Sequence, residues 1–215
     1  MLNKVKDLVK DKSPHEFFYI MLLLDIVLMF MAGLLYSGRF QFWNYPLSYL
    51  GAYYARNGAV NSRSFLLYDT SMIINGILML LVSYCFYFNK YLKRRMFKAV
   101  ISFICGLGFI IAISPDDLAH PYHVLGSSLA VAGLWILSMT LLSDIKSDLK
   151  KYEFYLLQAI LQIPIFTYAA TYFLNLSYSS FVQKIAVLGL VVTLIASTKV
   201  SSKDSLKSMK PDLAK

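Results

Sequence analysis

Charge is scarce in this sequence. Asp, Glu, Lys and Arg make up 15% of its 215 residues, where soluble domains carry about 25%. A chain this poor in charge, 58% hydrophobic and with a mean hydropathy of +0.57, has too little polar surface for a water-soluble fold, so its solvent is the bilayer. Cysteine is nearly absent as well. Cys85 and Cys105 both fall inside apolar runs, with neither CxxC nor metal-ligand spacing, and read as buried thiols acting as small hydrophobes. The chain has no P-loop, HExxH, GxSxG or Gly-rich dinucleotide signature, which argues against the familiar ATP-driven, zincin, serine hydrolase and Rossmann chemistries. It shows no pair of inverted halves with interrupted helices, so a transporter has little direct support from pattern.

Long apolar runs are what the sequence has in quantity. They occupy residues 17–36, 65–88, 97–113, 123–142, 154–174 and 181–198, and about 20 helical residues cross a hydrocarbon core of roughly 30 Å. The expected fold is all-α, a polytopic transmembrane bundle of six helices, with the third span the shortest. The organisation expected is a basic N-terminus at 1–16, a transmembrane domain at 17–198 with an aromatic loop at 37–64, and a basic tail at 199–215. Lysines ahead of the first run resemble a secretory signal. That run is about as long as a full span, contains Asp25 and lacks a small-x-small cleavage site, so an uncleaved first span fits better.

The net charge of +9 does not call for nucleic acid, because in a membrane chain the cations set orientation and meet anionic lipid. Lys4, Lys6, Lys10 and Lys12, the cluster from Lys90 to Lys98, Lys146, Lys150, Lys151 and the tail lysines place 17 of the 21 basic residues on one side of an even-span topology. That side, with both termini, is expected in the cytoplasm of a cell membrane. The opposite side holds Arg39, Arg56, Arg63 and Lys184, the last able to snorkel. Its first loop is rich in aromatics, among them Phe40, Phe42, Trp43, Tyr45, Tyr49, Tyr53 and Tyr54, residues that favour the headgroup layer. Small residues at helical spacing, Ser102 with Gly106 and Gly126 with Ala130 and Gly133, should let spans three and four pack closely.

Titratable side chains gather at the second outer turn. Asp116, Asp117, His120 and His123 supply two carboxylates and two imidazoles within eight residues, a set able to bind a divalent metal such as Zn²⁺ or to share a proton in acid–base work. The same residues also suit a plain turn. Pro115 and Pro121 fit first helical positions, and acids favour a helix N-terminus. Asp69, about four residues inside span two, is placed to meet the layer of Asp116 and His123. Asp25 stands apart near the middle of span one, where a carboxylate costs about 2.5–3.5 kcal/mol on insertion scales. Hydrogen bonds from polar groups such as Gln158 or Gln162, four residues apart on one face of span five, or protonation, are the remedies open to it. Asn75 and Pro164 read as interhelical glue and a kink.

The segment Tyr45-Pro46-Leu47-Ser48-Tyr49-Leu50-Gly51-Ala52, then Met72-Ile73 and Gly76, then Ser114-Pro115-Asp116 and His123, resembles the uncharacterised membrane family termed domain of unknown function 998. It is similar, more distantly, to the Frag, DRAM and Sfk group, which includes factors tied to lipid-anchor remodelling and autophagy. The resemblance runs from about Asp25 to Thr198. It implies a six-span bundle with Ser48, Gly51, Asp116 and His123 as pattern positions, and names no reaction. The family's Phe-Asn and Phe-Pro are here Tyr68-Asp69 and Ser114-Pro115, so no role carries over to position 69.

Three functions follow as expectations. The first is a protein acting on or sensing membrane lipid at the outer leaflet, with Asp116 and His123 as catalytic candidates and Ser48, Gly51, Asp69, Asp117 and His120 as binding candidates. The second is a noncatalytic scaffold or assembly factor. The third is a small proton-coupled transporter using Asp25, Gln158 and Gln162.

Overall fold

Inside a bilayer each backbone N–H and C=O needs a partner within the protein, so the apolar runs fold as helices. The computed structural model describes residues 13–90 and 92–209, and of 200–209 the backbone alone. It contains α1 (Pro14–Leu34), α2 (Ser62–Phe88), α3 (Arg95–Ile111), α4 (His120–Asp144), α5 (Lys151–Phe173) and α6 (Ser179–Met209). Short 3₁₀ turns lie at Leu47–Gly51 and Lys146–Asp148. No strand occurs among the described residues beyond an isolated bridge between Tyr54 and Val60. Five helices are long and apolar enough to cross a membrane. The exception is α3, whose 17 residues extend about 26 Å, short of a core of roughly 30 Å.

Helix starts follow local chemistry. The Ser13 hydroxyl accepts from the His15 N–H at 3.2 Å ahead of Pro14, whose fixed φ suits a first helical position. Pro121 opens α4 in the same way, and the Lys150 N–H donates to Glu153 at 3.0 Å at the head of α5. Each helix starts two or three residues ahead of its apolar run, while α1, α3 and α5 stop one or two residues short of its end.

Consecutive helices α1 to α4 pack side by side, α4 then packs on α6, and α6 returns to α1. This closes a five-helix circuit. α5 leans on α6 from outside, with Tyr152, Ile163 and Phe166 exposed. The α3–α4 seam is built on small residues. A Cβ added at Gly108 would lie 2.5 Å from the Ala130 nitrogen and 2.9 Å from the Gly126 oxygen, and one at Gly133 would lie 2.7 Å from the Cys105 Cβ. Backbone contact of this kind holds helices together where lipid removes the hydrophobic driving force. Gly76 meets Gly106 across α2 and α3 in the same manner.

Helix alternation puts Lys90, Arg94, Arg95, Lys98, Lys146, Lys150 and Lys151 at one end, the basic end. Arg39, Arg56, Arg63 and Lys184 lie at the other, the loop end. The N-terminal lysines Lys4 to Lys12 and the side chains of the tail lysines Lys203, Lys207, Lys210 and Lys215 lie outside the described residues. At the basic end Asp144, with its side chain 6% exposed, takes Lys98 at 2.7 Å and Arg94 at 2.9 Å, tying the last turn of α4 to the head of α3. Lys98 is fully buried against Phe86.

One expectation for the membrane interior is corrected here. Asp25 does not meet Gln158 or Gln162. Those glutamines lie on α5, outside the circuit. Gln162 accepts from the Trp135 indole N–H at 3.0 Å and donates to Gln158 at 3.3 Å and to the Met139 sulfur. Asp25 instead faces α2, where its Oδ1 accepts from Ser71 Oγ at 2.5 Å and Asn75 Nδ2 at 2.8 Å. Which helices become neighbours, not depth alone, decided the pairing.

Candidate functional site

The first loop forms a hydrogen-bonded cap at the loop end. Asn61, completely buried, is its hub. Its Nδ2 donates to the Ala52 carbonyl at 3.0 Å, and its Oδ1 accepts from the Ser37 N–H at 3.0 Å. Ser64 donates to the Leu50 carbonyl at 3.0 Å. The guanidinium of Arg56 stacks 4.8 Å from the Tyr49 ring centroid. The Arg56 N–H donates to the Tyr36 hydroxyl at 3.0 Å, and burial holds that phenol above its ordinary pKa, keeping it neutral.

Two residues of α6 hold the cap in place: Lys184, expected to snorkel, and Gln183, which the sequence did not mark. The buried ammonium of Lys184 donates to the Tyr45 carbonyl at 2.7 Å and the Ser180 carbonyl at 2.9 Å, and lies 5.3 Å from the Phe42 ring centroid. Gln183 accepts from the Leu47 N–H at 3.0 Å and donates to the Tyr168 hydroxyl at 3.2 Å. Lys184 does not snorkel, because two carbonyls and an aromatic face take the place of water. The signal available was a lone cation at the start of an apolar span.

Beneath the cap the α3–α4 turn presents its acids. The 3₁₀ turn Leu47–Gly51 sets Ser48 over this turn, and the Ser48 hydroxyl donates to Asp116 Oδ2 at 3.2 Å. The other oxygen, Asp116 Oδ1, lies 2.7 Å from His120 Nδ1. Asp117 points the opposite way and accepts from the N–H groups of Tyr53 and Tyr54 at 2.9 and 2.8 Å, so it pins the cap.

The partner of Asp116 is therefore His120, and His123 makes no direct hydrogen bond to it. Pro121 starts α4 at His120, which leaves that ring four residues from Asp116 across the Pro115–Ala119 turn. One turn further on, His123 is drawn into the bundle, 4% exposed. Its Nδ1 lies 2.9 Å from the Ser114 carbonyl. A carbonyl only accepts, so Nδ1 carries the proton and Nε2 is left as an acceptor.

Tyr68 lies between these groups. Its ring centroid is 6.3 Å from that of His123, and a Cβ at Gly51 would strike the Tyr68 ring. Asp69 is buried, and its Oδ1 has no hydrogen-bond partner. The structure thus brings Ser48, Asp116 and His120 into direct contact, stacks Gly51 on Tyr68 beside His123, and leaves Asp117 in the cap. Gln158 and Gln162 stand apart. Among the described residues no three His, Cys, Asp or Glu side chains converge to hold a metal ion, so the divalent metal allowed for by the turn's composition has no ready ligand set.

Fold and site together define an all-helical integral membrane protein with a polar cluster at one end of its bundle. Compared with family models, curated proteins and solved structures, the chain matches none.

Proposed function

We propose that this multi-pass protein sits in the cell membrane with its basic end in the cytoplasm and its loop end outside, where it binds a polar lipid headgroup and acts on or senses it. The observation that carries this reading is the surface of the α3–α4 turn. His120, with its side chain 63% exposed, stands between Leu118 and Tyr122, which are 62% and 65% exposed. Apolar and aromatic side chains projecting beside a polar group suit the headgroup layer. With Nδ1 directed at Asp116, the outward Nε2 of His120 can accept a proton from a headgroup hydroxyl. Once protonated, the ring can face a phosphate. Asp116 orients the imidazole, and Ser48 holds Asp116. The resemblance to domain of unknown function 998 adds support, since two of its pattern positions, Ser48 and Asp116, are joined by that 3.2 Å bond.

The orientation rests on the bias of Lys and Arg toward the basic end. The test of the site is retention of phospholipid by the purified protein, read by native mass spectrometry. His120→Ala and Asp116→Asn should each lose bound lipid while keeping the wild-type unfolding midpoint. Wild-type lipid retention in both variants would refute the reading.

A second reading, a noncatalytic scaffold, draws on the closed hydrogen bonding of Asn61, Asp117 and Lys184 within the cap. It expects the same two variants to retain lipid and cap substitutions to abolish partner assembly.

A further inference from the structure

Helix α1 carries a half-buried polar group, facing α2, that the loop-end cluster leaves unused. Asp25 lies near the middle of α1, and both donors that reach it go to a single oxygen, Oδ1. Ser71 and Asn75 are four residues apart on α2 and so present one face. No described donor reaches Asp25 Oδ2. Asn75 is 1% exposed, and its amide oxygen is buried without a partner.

Charge does not resolve this. From α2, the ionisable side chains between Arg63 and Cys85 are Tyr68, Asp69 and Tyr84, none of them cationic. From α6 there is no ionisable side chain between Lys184 and Lys199. The 3₁₀ turn packed against α1 contributes Tyr49. A carboxylate at this depth costs about 2.5–3.5 kcal/mol, and two neutral donors offset part of that. The Asn75 amide oxygen, a buried acceptor with nothing to accept from, adds its own penalty. A carboxylate with one oxygen free of described donors, and with no positive charge beside it, is the complement of a small cation. A single carboxylate with neutral oxygens suits charge +1 and falls short of the carboxylate-rich shell a divalent ion takes.

We propose that Asp25, Ser71 and Asn75 form a reversible site for a monovalent cation, H⁺ or Na⁺, at mid-membrane depth. The step is ion transfer alone. A proton arriving on Asp25 neutralises the carboxylate, and Na⁺ pairs with it.

The experiment uses the full chain in lipid nanodiscs. Infrared difference spectroscopy follows the protonated-carboxyl stretch between about pH 5 and pH 9, with either K⁺ or Na⁺ as the salt. If the ion is H⁺, a band titrates in that window, is lost in Asp25→Asn, and is the same in both salts. If it is Na⁺, only Na⁺ suppresses the band and raises the unfolding midpoint, saturably, and Asp25→Asn abolishes both effects. Should Asp25→Asn not fold, the double variant Asp69→Asn with Asp116→Asn assigns the band, which must persist in it. The proposal is overturned if no band titrates and Na⁺ has no effect. A band that stays fixed across the window, or one that disappears in the double variant, overturns it equally.

Discussion

Replacing Gly51 by alanine tests whether the cap and the buried tyrosine form one packed unit. Gly51 does not have a positive φ, so the new methyl meets steric contact and not backbone strain. The added Cβ would lie 2.6 Å from Cε1 and 3.0 Å from Cγ of Tyr68. Carbon atoms pack at about 3.5–4.0 Å, so the ring or the 3₁₀ turn must yield by roughly 1 Å. The ring has little room, being 6% exposed and stacked towards His123 at 6.3 Å. Overpacking of a tight site costs about 1–3 kcal/mol. The assay is denaturant unfolding in mixed micelles for wild type, Gly51→Ala, Tyr68→Ala and the double variant. In the Tyr68→Ala background the alanine has space, so most of its cost should vanish as a coupling of about 1–3 kcal/mol. Wild-type stability of Gly51→Ala, or an equal penalty in both backgrounds, would refute the packing argument.

Asp117→Ala removes two charge-assisted hydrogen bonds to Tyr53 and Tyr54, worth about 1.5–3 kcal/mol apiece at most. Tryptic cleavage after the exposed Arg56 should quicken about tenfold or more as the cap opens. Lys98→Met leaves the buried Asp144 with Arg94 alone and should cost about 3 kcal/mol or more in unfolding free energy. Adding Asp144→Leu should return part of that loss, and no return would count against the ion pair. A single cysteine at Asn57 should react with an impermeant thiol reagent on intact cells, and one at Lys93 should react only after permeabilisation. The reverse pattern would invert the topology.

The helices were legible because a bilayer leaves the backbone one local solution, and six apolar runs mark it. Their order in the circuit was not. Nothing in the runs says that α5 lies outside while α6 closes onto α1, and that placement gave Asp25 Ser71 and Asn75 as partners in place of the glutamines. At the turn, composition paired Asp116 with His123, whereas the imidazole that reaches it is that of His120. That choice depended on where Pro121 starts α4. The approach of Ser48 to Asp116 crosses 68 positions of chain and was visible only through the pattern of a resembled family. Lys184 and Gln183 as cap anchors went unread because their partners are backbone groups, Tyr45 C=O, Ser180 C=O and Leu47 N–H, which every residue carries.

α6 is a single helix of 31 residues, about 46 Å of rod, against a hydrocarbon core of roughly 30 Å. It contains no proline, unlike α5, which carries Pro164, so it lacks the commonest cause of a kink. Its second turn grips the cap through Lys184 and Gln183, and its length exceeds that of a hydrocarbon core by about 16 Å. The helix is in effect a lever. Torque or tension applied to the last turns reaches Tyr45 and Leu47 with no proline between, so the cap and the far end of α6 are mechanically one piece.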